Sequence, residues 1–343
     1  MLMLKKTIAA LSLLSILAAC QNDENPSQPE PKPRQDINLT RAEQEFMDKG
    51  TDFAFRFFDQ VCSTEKEKPN VFVSPLSASL CLSMITNGAT DNTLAEMQNV
   101  LGFPANTFSL DDLNNYNQKL TSALLDLDNT TQLGIANSIW IEEGFKVYDS
   151  FVDVNKKMYD AQVQELDFTS PTAKDVINQW CATQTNNCIK EVIQEIPADA
   201  RMYLINALYF KGIWKSQFDK SATGQDNFTN VDGSQQKVAM MNQTATFNYT
   251  QTDDFSIAEL PYGNEAFSMV ILLPSGDKTL DESLPNLNYE NWKQWSKNMV
   301  GKELQIKLPR FKVEYDKELE EDMIAMGMKD AFDAYKAKFA NMS

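Results

Sequence analysis

Arg201-Met-Tyr-Leu-Ile-Asn-Ala-Leu-Tyr-Phe-Lys-Gly-Ile-Trp-Lys-Ser-Gln-Phe218 is the stretch on which the reading of the chain turns. Residues 202–210 are an almost unbroken apolar run, rich in β-formers and interrupted only by Asn206. Such a run, too short and too aromatic for a comfortable helix, predicts a strand buried on both faces. An amide at the midpoint of a buried strand must be hydrogen-bonded, or the strand loses stability. Lys211-Gly212 then marks a bend, and Trp214 follows at once.

Downstream of this run the chain is rich in strand patterns. Residues 238–241, 246–249, 256–260 and 267–273 predict successive strands, with turns at Gly263-Asn264 and Pro274-Ser275-Gly276. A helical interlude covers 280–299, strands follow at 303–308 and 311–315 around Pro309-Arg310, and a short helix covers 319–326. Upstream the pattern is helical. Phe46, Phe53, Phe57 and Val61 recur at helical spacing. A short strand at 70–74 leads into Ser74-Pro75, a cap followed by a first-turn proline. The helix it starts, 76–86, is apolar nearly all round and so belongs in the body of the domain. Thr93-Leu-Ala-Glu96 matches a capping box for a helix running to Leu101-Gly102. Residues 110–127 and 151–159 read as helices, 133–141 and 163–168 as strands, and 171–196 as one long helix by the spacing of Val176, Ile177, Trp180, Ile189, Val192 and Ile193. Helices first and antiparallel strands later predict a single α+β domain over residues 41–343.

Composition narrows the chemistry. The 343 residues carry 31 basic and 48 acidic side chains, a net charge of −17, which argues against nucleic acid and against a polybasic membrane surface. Histidine is absent, so no Ser-His-Asp or Cys-His nucleophile pair and no His-bearing zinc site can be built. No phosphate-binding glycine pattern or calcium-loop motif stands out among 12 glycines. No cofactor or metal is expected, and an enzyme is disfavoured. The five cysteines, Cys20, Cys62, Cys81, Cys181 and Cys188, show no disulfide-framework spacing. A helix through Cys181 and Cys188 would hold their Cα atoms roughly 10 Å apart, too far to bridge.

Cys20 stands apart. Lys5-Lys6 precedes a short apolar run that ends in Leu17-Ala18-Ala19-Cys20, the layout of a signal peptide over residues 1–19. Those four residues resemble the bacterial lipobox, which implies cleavage before Cys20 and lipid attachment to its sulfur; an ordinary signal peptide is the alternative. Residues 20–40 are rich in Asn, Pro, Gln and Glu and predict a flexible tether. Together these place the domain on the bacterial cell envelope, as an outer-membrane or cell-surface lipoprotein in the periplasm or outside the cell.

The order of motifs resembles a serpin from about Glu43 to the last residue. The resemblance rests on Asn70-Val-Phe-Val-Ser-Pro-Leu-Ser77 leading into 80–103, and on Leu204-Ile-Asn-Ala-Leu-Tyr-Phe-Lys-Gly-Ile-Trp214. Residues 228–241, Glu259-Leu-Pro-Tyr262, Val270-Ile-Leu-Leu-Pro274, Leu308-Pro-Arg-Phe311, Gly327-Met328 and Phe332 complete the series. It implies a fold of about eight or nine helices and three β-sheets, one of them large and central. It also implies an inhibitor of serine or cysteine proteases that acts as a suicide substrate: an exposed loop is cut and inserts as a new strand of the large sheet. Ser74, Ser77 and Asn206 match the shutter positions that hold the sheet closed, with an ordinary helix cap as the second reading of Ser74. Trp214 matches the breach, where the loop first enters. Arg310 matches a basic residue there that pairs with the loop hinge, with a plain surface arginine as the alternative.

Two departures follow. The chain stops at Asn341-Met-Ser343, where the family continues into the neighbouring central strand, with the hinge, the reactive loop and the final strands of the smaller sheets beyond it. The resemblance therefore implies a truncated serpin without its reactive bond, with apolar sheet edges left unpaired. Residues 110–127 also carry Lys119 as their only basic residue, against Asp111, Asp112, Asp126 and Asp128 in and just after them, so no heparin-type activation is expected. The complete protein is expected to be a monomer that meets the membrane only through its anchor. The competing functions are a non-inhibitory binding protein on the same scaffold, an inactive remnant, and, a distant third, an envelope hydrolase.

Overall fold

Thr40 starts the fold. The computed structural model describes residues 30–343 apart from Pro69, so Cys20 and the signal-peptide residues lie outside the described residues. The Thr40 hydroxyl accepts from the Glu43 amide while the Glu43 carboxylate accepts from the Thr40 amide. This reciprocal cap satisfies two otherwise orphaned donors of α1 (Arg41–Thr64). Phe46, Phe53, Phe57 and Val61 are all buried along it. Ser74 caps α2 (Pro75–Thr86) by accepting from the Ser77 amide. Every residue of α2 from Ser77 onward is buried except Ser79. Its hydroxyls bond back to the helix, the buried Ser83 to the Ser79 carbonyl and Thr86 to that of Leu82, and the half-buried Ser79 to that of Leu76.

The expected capping box at Thr93 and Glu96 is used otherwise. Helix α3 (Asp91–Leu101) begins three residues earlier, with Thr90 in the cap position, and Thr93 is buried inside it. The Thr93 hydroxyl accepts from the Lys338 amide, and the Glu96 carboxylate accepts from the amides of Lys329 and Asp330. A cap-like pair thus holds a distant segment instead of its own helix. Next come α4 (Leu110–Asp126), β1 (Gln132–Glu142), α5 (Asp149–Tyr159) and β2 (Ala161–Leu166).

The long helix expected over 171–196 ends early. Helix α6 (Ala173–Gln184) stops where Asn186 and Asn187 take φ of 50° and 61°, a left-handed conformation that asparagine tolerates. Ile189 and Ile193 remain buried with Trp140, Ile177 and Trp180. Asn178 holds them there: its Nδ2 donates to the Ile193 carbonyl and its Oδ1 accepts from the Val192 and Ile193 amides. The periodicity reported burial correctly for Ile177, Trp180, Ile189 and Ile193, but Val176 is exposed and the helix is shorter than expected. Cys181 and Cys188 are both free thiols.

The apolar run quoted first forms β3 (Met202–Lys211). One face gives Met202 and Leu204 to the cluster around α1 and α2, the other gives Tyr203, Ile205 and Ala207 to the cluster under α6. Both faces are covered, as the run predicts, although burial thins toward Lys211. Among the described residues the sheet order is β2-β1-β3, with β1 parallel to β2 and antiparallel to β3, so β3 is there an outer strand of three.

The second sheet contains β4 (Gly224–Thr229), β5 (Gln235–Gln251), β6 (Phe255–Pro261), β7 (Ser268–Pro274) and β8 (Val300–Pro309). The strands expected at 238–241 and 246–249 are one 17-residue strand, β5. Its polar middle, which looks like a break, is used in place: Asn242 donates to the Ala222 carbonyl and Gln243 accepts from the Ser216 hydroxyl. The interlude expected over 280–299 divides at Pro285 into α7 (Leu280–Ser283), a 3-10 turn and α8 (Tyr289–Lys297). Trp295 of α8 covers one sheet face by packing on Phe255, ring centres 5.7 Å apart. Helix α9 (Glu320–Met326) follows.

The strands expected at 70–74 and 311–315 form no ladder among the described residues. Alternation in sequence marks faces, not partners, and a strand needs a neighbour. Val71, Phe72, Val73 and Val313 still pack against the main core. Two sheets are present among the described residues, where the resemblance implies three. No helix among them is long and apolar enough to cross a membrane.

Candidate functional site: a polar relay and an aromatic clamp at one strand

Asn206 lies directly opposite Asn137 of β1 in the ladder. Its Nδ2 donates to Asn137 Oδ1 at 2.8 Å, and Asn137 Nδ2 donates to the Tyr159 carbonyl at 2.7 Å. The Tyr159 hydroxyl donates to Asn114 Oδ1 at 2.7 Å, and Asn114 and Asn87 exchange amide hydrogen bonds. A relay of polar side chains therefore runs from the outer strand, across β1 and the end of α5, to α4 and the end of α2. Asn137, Asn114 and Tyr159 are all buried, and burial pushes the Tyr159 phenol up to about 12. The exception is Asn206 Oδ1, which is buried without a hydrogen-bond partner among the described residues.

The serines sit at the start of α2, the helix that packs under β3. The Ser74 hydroxyl donates to the Ser77 hydroxyl at 3.0 Å while also capping the helix. The serine pair closes on itself and the Asn206 amide is directed to Asn137. Between α2 and β3 the Cys81 thiol donates to the Leu204 carbonyl at 3.6 Å. Burial pushes that thiol up to about 12, so it remains protonated.

At the far end of β3, Trp214 forms a bridge with Tyr262 and stacks on its ring, with centroids 4.3 Å apart. Phe218 meets Trp214 edge-on at 6.0 Å, and Phe210 meets Tyr262 edge-on at 5.3 Å. Gly212 is where this clamp comes closest to the backbone: a Cβ there would lie 2.6 Å from the Tyr262 ring. The indole Nε1 is buried without a hydrogen-bond partner among the described residues. The next residue, Gly263, has φ +37° and gives its amide to the Ile213 carbonyl. A Cβ there would fall 2.1 Å from Thr130 Oγ1 and 2.2 Å from Asp128 Oδ2. Burial would raise the Asp128 carboxyl, but hydrogen bonds from Thr130, Thr131 and the Asn264 amide outweigh it and hold its pKa below the usual range. Arg310 follows β8 with an exposed side chain, and its amide donates to the Ala239 carbonyl at 2.9 Å.

Residues 48–343 match the profile of a family described as serpin, serine protease inhibitor. The chain belongs to the serpin family. A serpin-like protein of Methanosarcina acetivorans is 34% identical over 298 residues, which are 85% of this chain and 69% of that one. Serpin B6 of Macaca fascicularis is 36% identical over 285 residues, 80% of this chain and 75% of its own. Among solved structures, the thermophilic serpin tengpin in its latent state superposes with a TM-score of 0.80 at 31% identity, covering 90% of this chain and 81% of the other. The same serpin in its native state gives 0.79 at 29% identity, covering 92% and 78%.

Sequence reading placed Ser74, Ser77, Asn206 and Trp214 in this serpin but not the residues that meet them. Asn137 was legible in principle, being the amide inside the apolar strand that pairs with β3. Tyr262 and Gly263 were quoted as motif and turn without a partner, because nothing local says that they lie under Trp214. Lys119 of α4 is engaged with Glu43 at 2.7 Å, a contact that pulls the Glu43 carboxyl down to about 2. No cluster of His, Cys, Asp and Glu able to hold a metal ion occurs among the described residues.

Proposed function

We propose that this serpin inhibits serine or cysteine endopeptidases as a suicide substrate and works from a lipid anchor at Cys20 on the bacterial cell envelope. Family membership supports protease inhibition as the type of activity. The observation that carries the mechanism is Asn206 on β3, tied through Asn137 and Tyr159 to the buried relay that reaches the end of α2. Among the described residues β3 is paired by β1 on one side. An extended segment laid beside it gains main-chain hydrogen bonds, the usual way a sheet edge takes up a peptide. In this reading the segment is the bait loop that the family carries after the position of Ser343.

Trp214 and Tyr262 then mark the end of β3 where an incoming strand starts, and Arg310 is proposed to receive an acidic residue of its hinge. Asn206 and the Ser74–Ser77 pair are proposed as the shutter. Activation by a heparin-type polyanion is not proposed, since the one lysine of α4 is already paired.

The test uses the full-length gene product with elastase-, trypsin- and papain-like proteases. A covalent complex that survives denaturing electrophoresis is the expected result; clean cleavage without a complex across the panel would replace inhibition with a non-inhibitory scaffold role. The anchor is tested separately: partitioning into detergent should be lost in Cys20→Ala, and unchanged partitioning would remove the anchor.

A further inference from the structure

The N-terminal segment is expected to be a free tether, yet its described residues 30–32 dock on the fold. The Lys32 amide donates to Asn129 Oδ1 at 2.8 Å, and Asn129 Nδ2 donates to the Glu30 carbonyl at 3.0 Å. The Lys32 ammonium pairs with Asp126 at 2.7 Å. Asn129 uses both ends of its amide on one short piece of backbone, as the edge of a strand would. The sequence of that piece fits the grip. Pro31 and Pro33 flank Lys32, so residues 31–33 hold an extended backbone in advance and present a single N–H. That N–H is the one Asn129 takes.

Asn129 belongs to the segment 126–131, the last residue of α4 and the loop before β1, and the other side of this loop faces the aromatic clamp. Asn264 Nδ2 donates to the Leu127 carbonyl at 2.8 Å, and its amide reaches Asp128 Oδ2 at 3.4 Å. Gly263 lies against Thr130 and Asp128 so closely that no side chain fits between them. Its amide is bonded to the Ile213 carbonyl at 2.8 Å, and Tyr262 is stacked on Trp214. From Lys32 to Trp214 each step is a hydrogen bond or a van der Waals contact.

We propose that residues 30–32 act as an intramolecular brace: they steady the 126–131 loop, and the loop passes their docked or undocked state to the 262–264 turn under Trp214. The occupant of the loop surface is this chain's own N-terminal segment. Its consequence is mechanical control. A pull on the segment, or a binder that peels it off, loosens the end of β3 without touching the sheet itself. The grip is built from exposed contacts and is correspondingly weak, as a releasable contact must be.

Hydrogen exchange read by mass spectrometry on the full chain tests this without a protease, so the outcome stands apart from inhibition. Asn129→Ala removes both hydrogen bonds. Lys32→Pro removes the N–H donor together with the ammonium that pairs with Asp126 and changes nothing inside the fold, which keeps the test sound if the first variant folds poorly. Both are expected to speed exchange at 126–131 and at 262–264 by about threefold to tenfold, the worth of one or two exposed hydrogen bonds, and to leave α9 unchanged. Faster exchange at the loop with an unchanged 262–264 turn would overturn the transmission, and a Lys32 amide that exchanges in the wild type at the unprotected rate would overturn the brace.

Discussion

Removing the side chains of Asn206 and Asn137 one at a time is expected to give unequal losses, and the inequality follows from the hydrogen bonds alone. Asn206→Ala deletes one bond, worth about 1 kcal/mol, and leaves Asn137 Oδ1 buried without a donor, at about 1–3 kcal/mol. The same change also removes Asn206 Oδ1, which already lacks a partner, and so recovers a similar amount. The net loss is about 1 kcal/mol. Asn137→Ala deletes two bonds and strips partners from the Tyr159 carbonyl and the Asn206 amide while Asn206 Oδ1 stays orphaned. Its cost is about 3–5 kcal/mol. Urea unfolding followed by tryptophan fluorescence and far-UV circular dichroism reads both values, provided that the two probes coincide. The double variant should cost less than the sum of the singles by about 1–2 kcal/mol, since the shared bond is counted twice. An Asn206→Ala loss equal to or above that of Asn137→Ala would refute the relay, because the Asn206 amide would then be holding something other than Asn137.

Gly263→Ala should destabilise by about 3 kcal/mol in the same assay, combining a left-handed non-glycine residue with a Cβ pressed on Thr130 and Asp128; a neutral effect would mean that the 262–264 turn moves freely away from the loop. Asp128 has a folded pKa below its unfolded value of about 3.9, so its contribution is present above that pH and lost as pH falls through the folded pKa. Asp128→Asn should therefore lower stability at pH 7 by about 1–3 kcal/mol and flatten the acid limb of the stability profile, and an unchanged acid limb would contradict the assignment. Cys81 and Cys181, both pushed up to about 12 by burial, should stay unlabelled by a thiol reagent at pH 8 until the protein unfolds. Native-state labelling of either thiol at the rate of a free one would show that the body of the domain opens.

Much of the fold was legible because its signals are local. The Ser74-Pro75 start of α2, the phenylalanine stripe of α1 and the apolar run of β3 each carry their reason within a few residues. The errors share a different cause. Residues 171–196 keep one apolar face throughout, yet Asn186 and Asn187 turn the chain and Asn178 then fixes the continuation by hydrogen bonds that no period can announce. Residues 70–74 and 311–315 have strand composition without a ladder, since pairing depends on a neighbour remote in sequence. The site divides in the same way. Ser74, Asn206 and Trp214 could be named from motif order, but Asn206's partner is 69 residues away, and Trp214's ring partner is a tyrosine quoted for another reason.

The diverted cap of α3 also has a bearing on synthesis. Glu96 waits for amides 233 and 234 residues further on, and Thr93 for one 245 residues further on. At roughly 5–20 residues per second, the ribosome delivers those partners some ten seconds or more after α3 has emerged. Through that interval a buried threonine and a carboxylate stand open on a helix whose other face is already apolar. Closure of this core is therefore a late event with high contact order. The growing chain has a long period in which a chaperone, or another nascent copy, can reach its interior before the segment around 329–342 arrives to shut it.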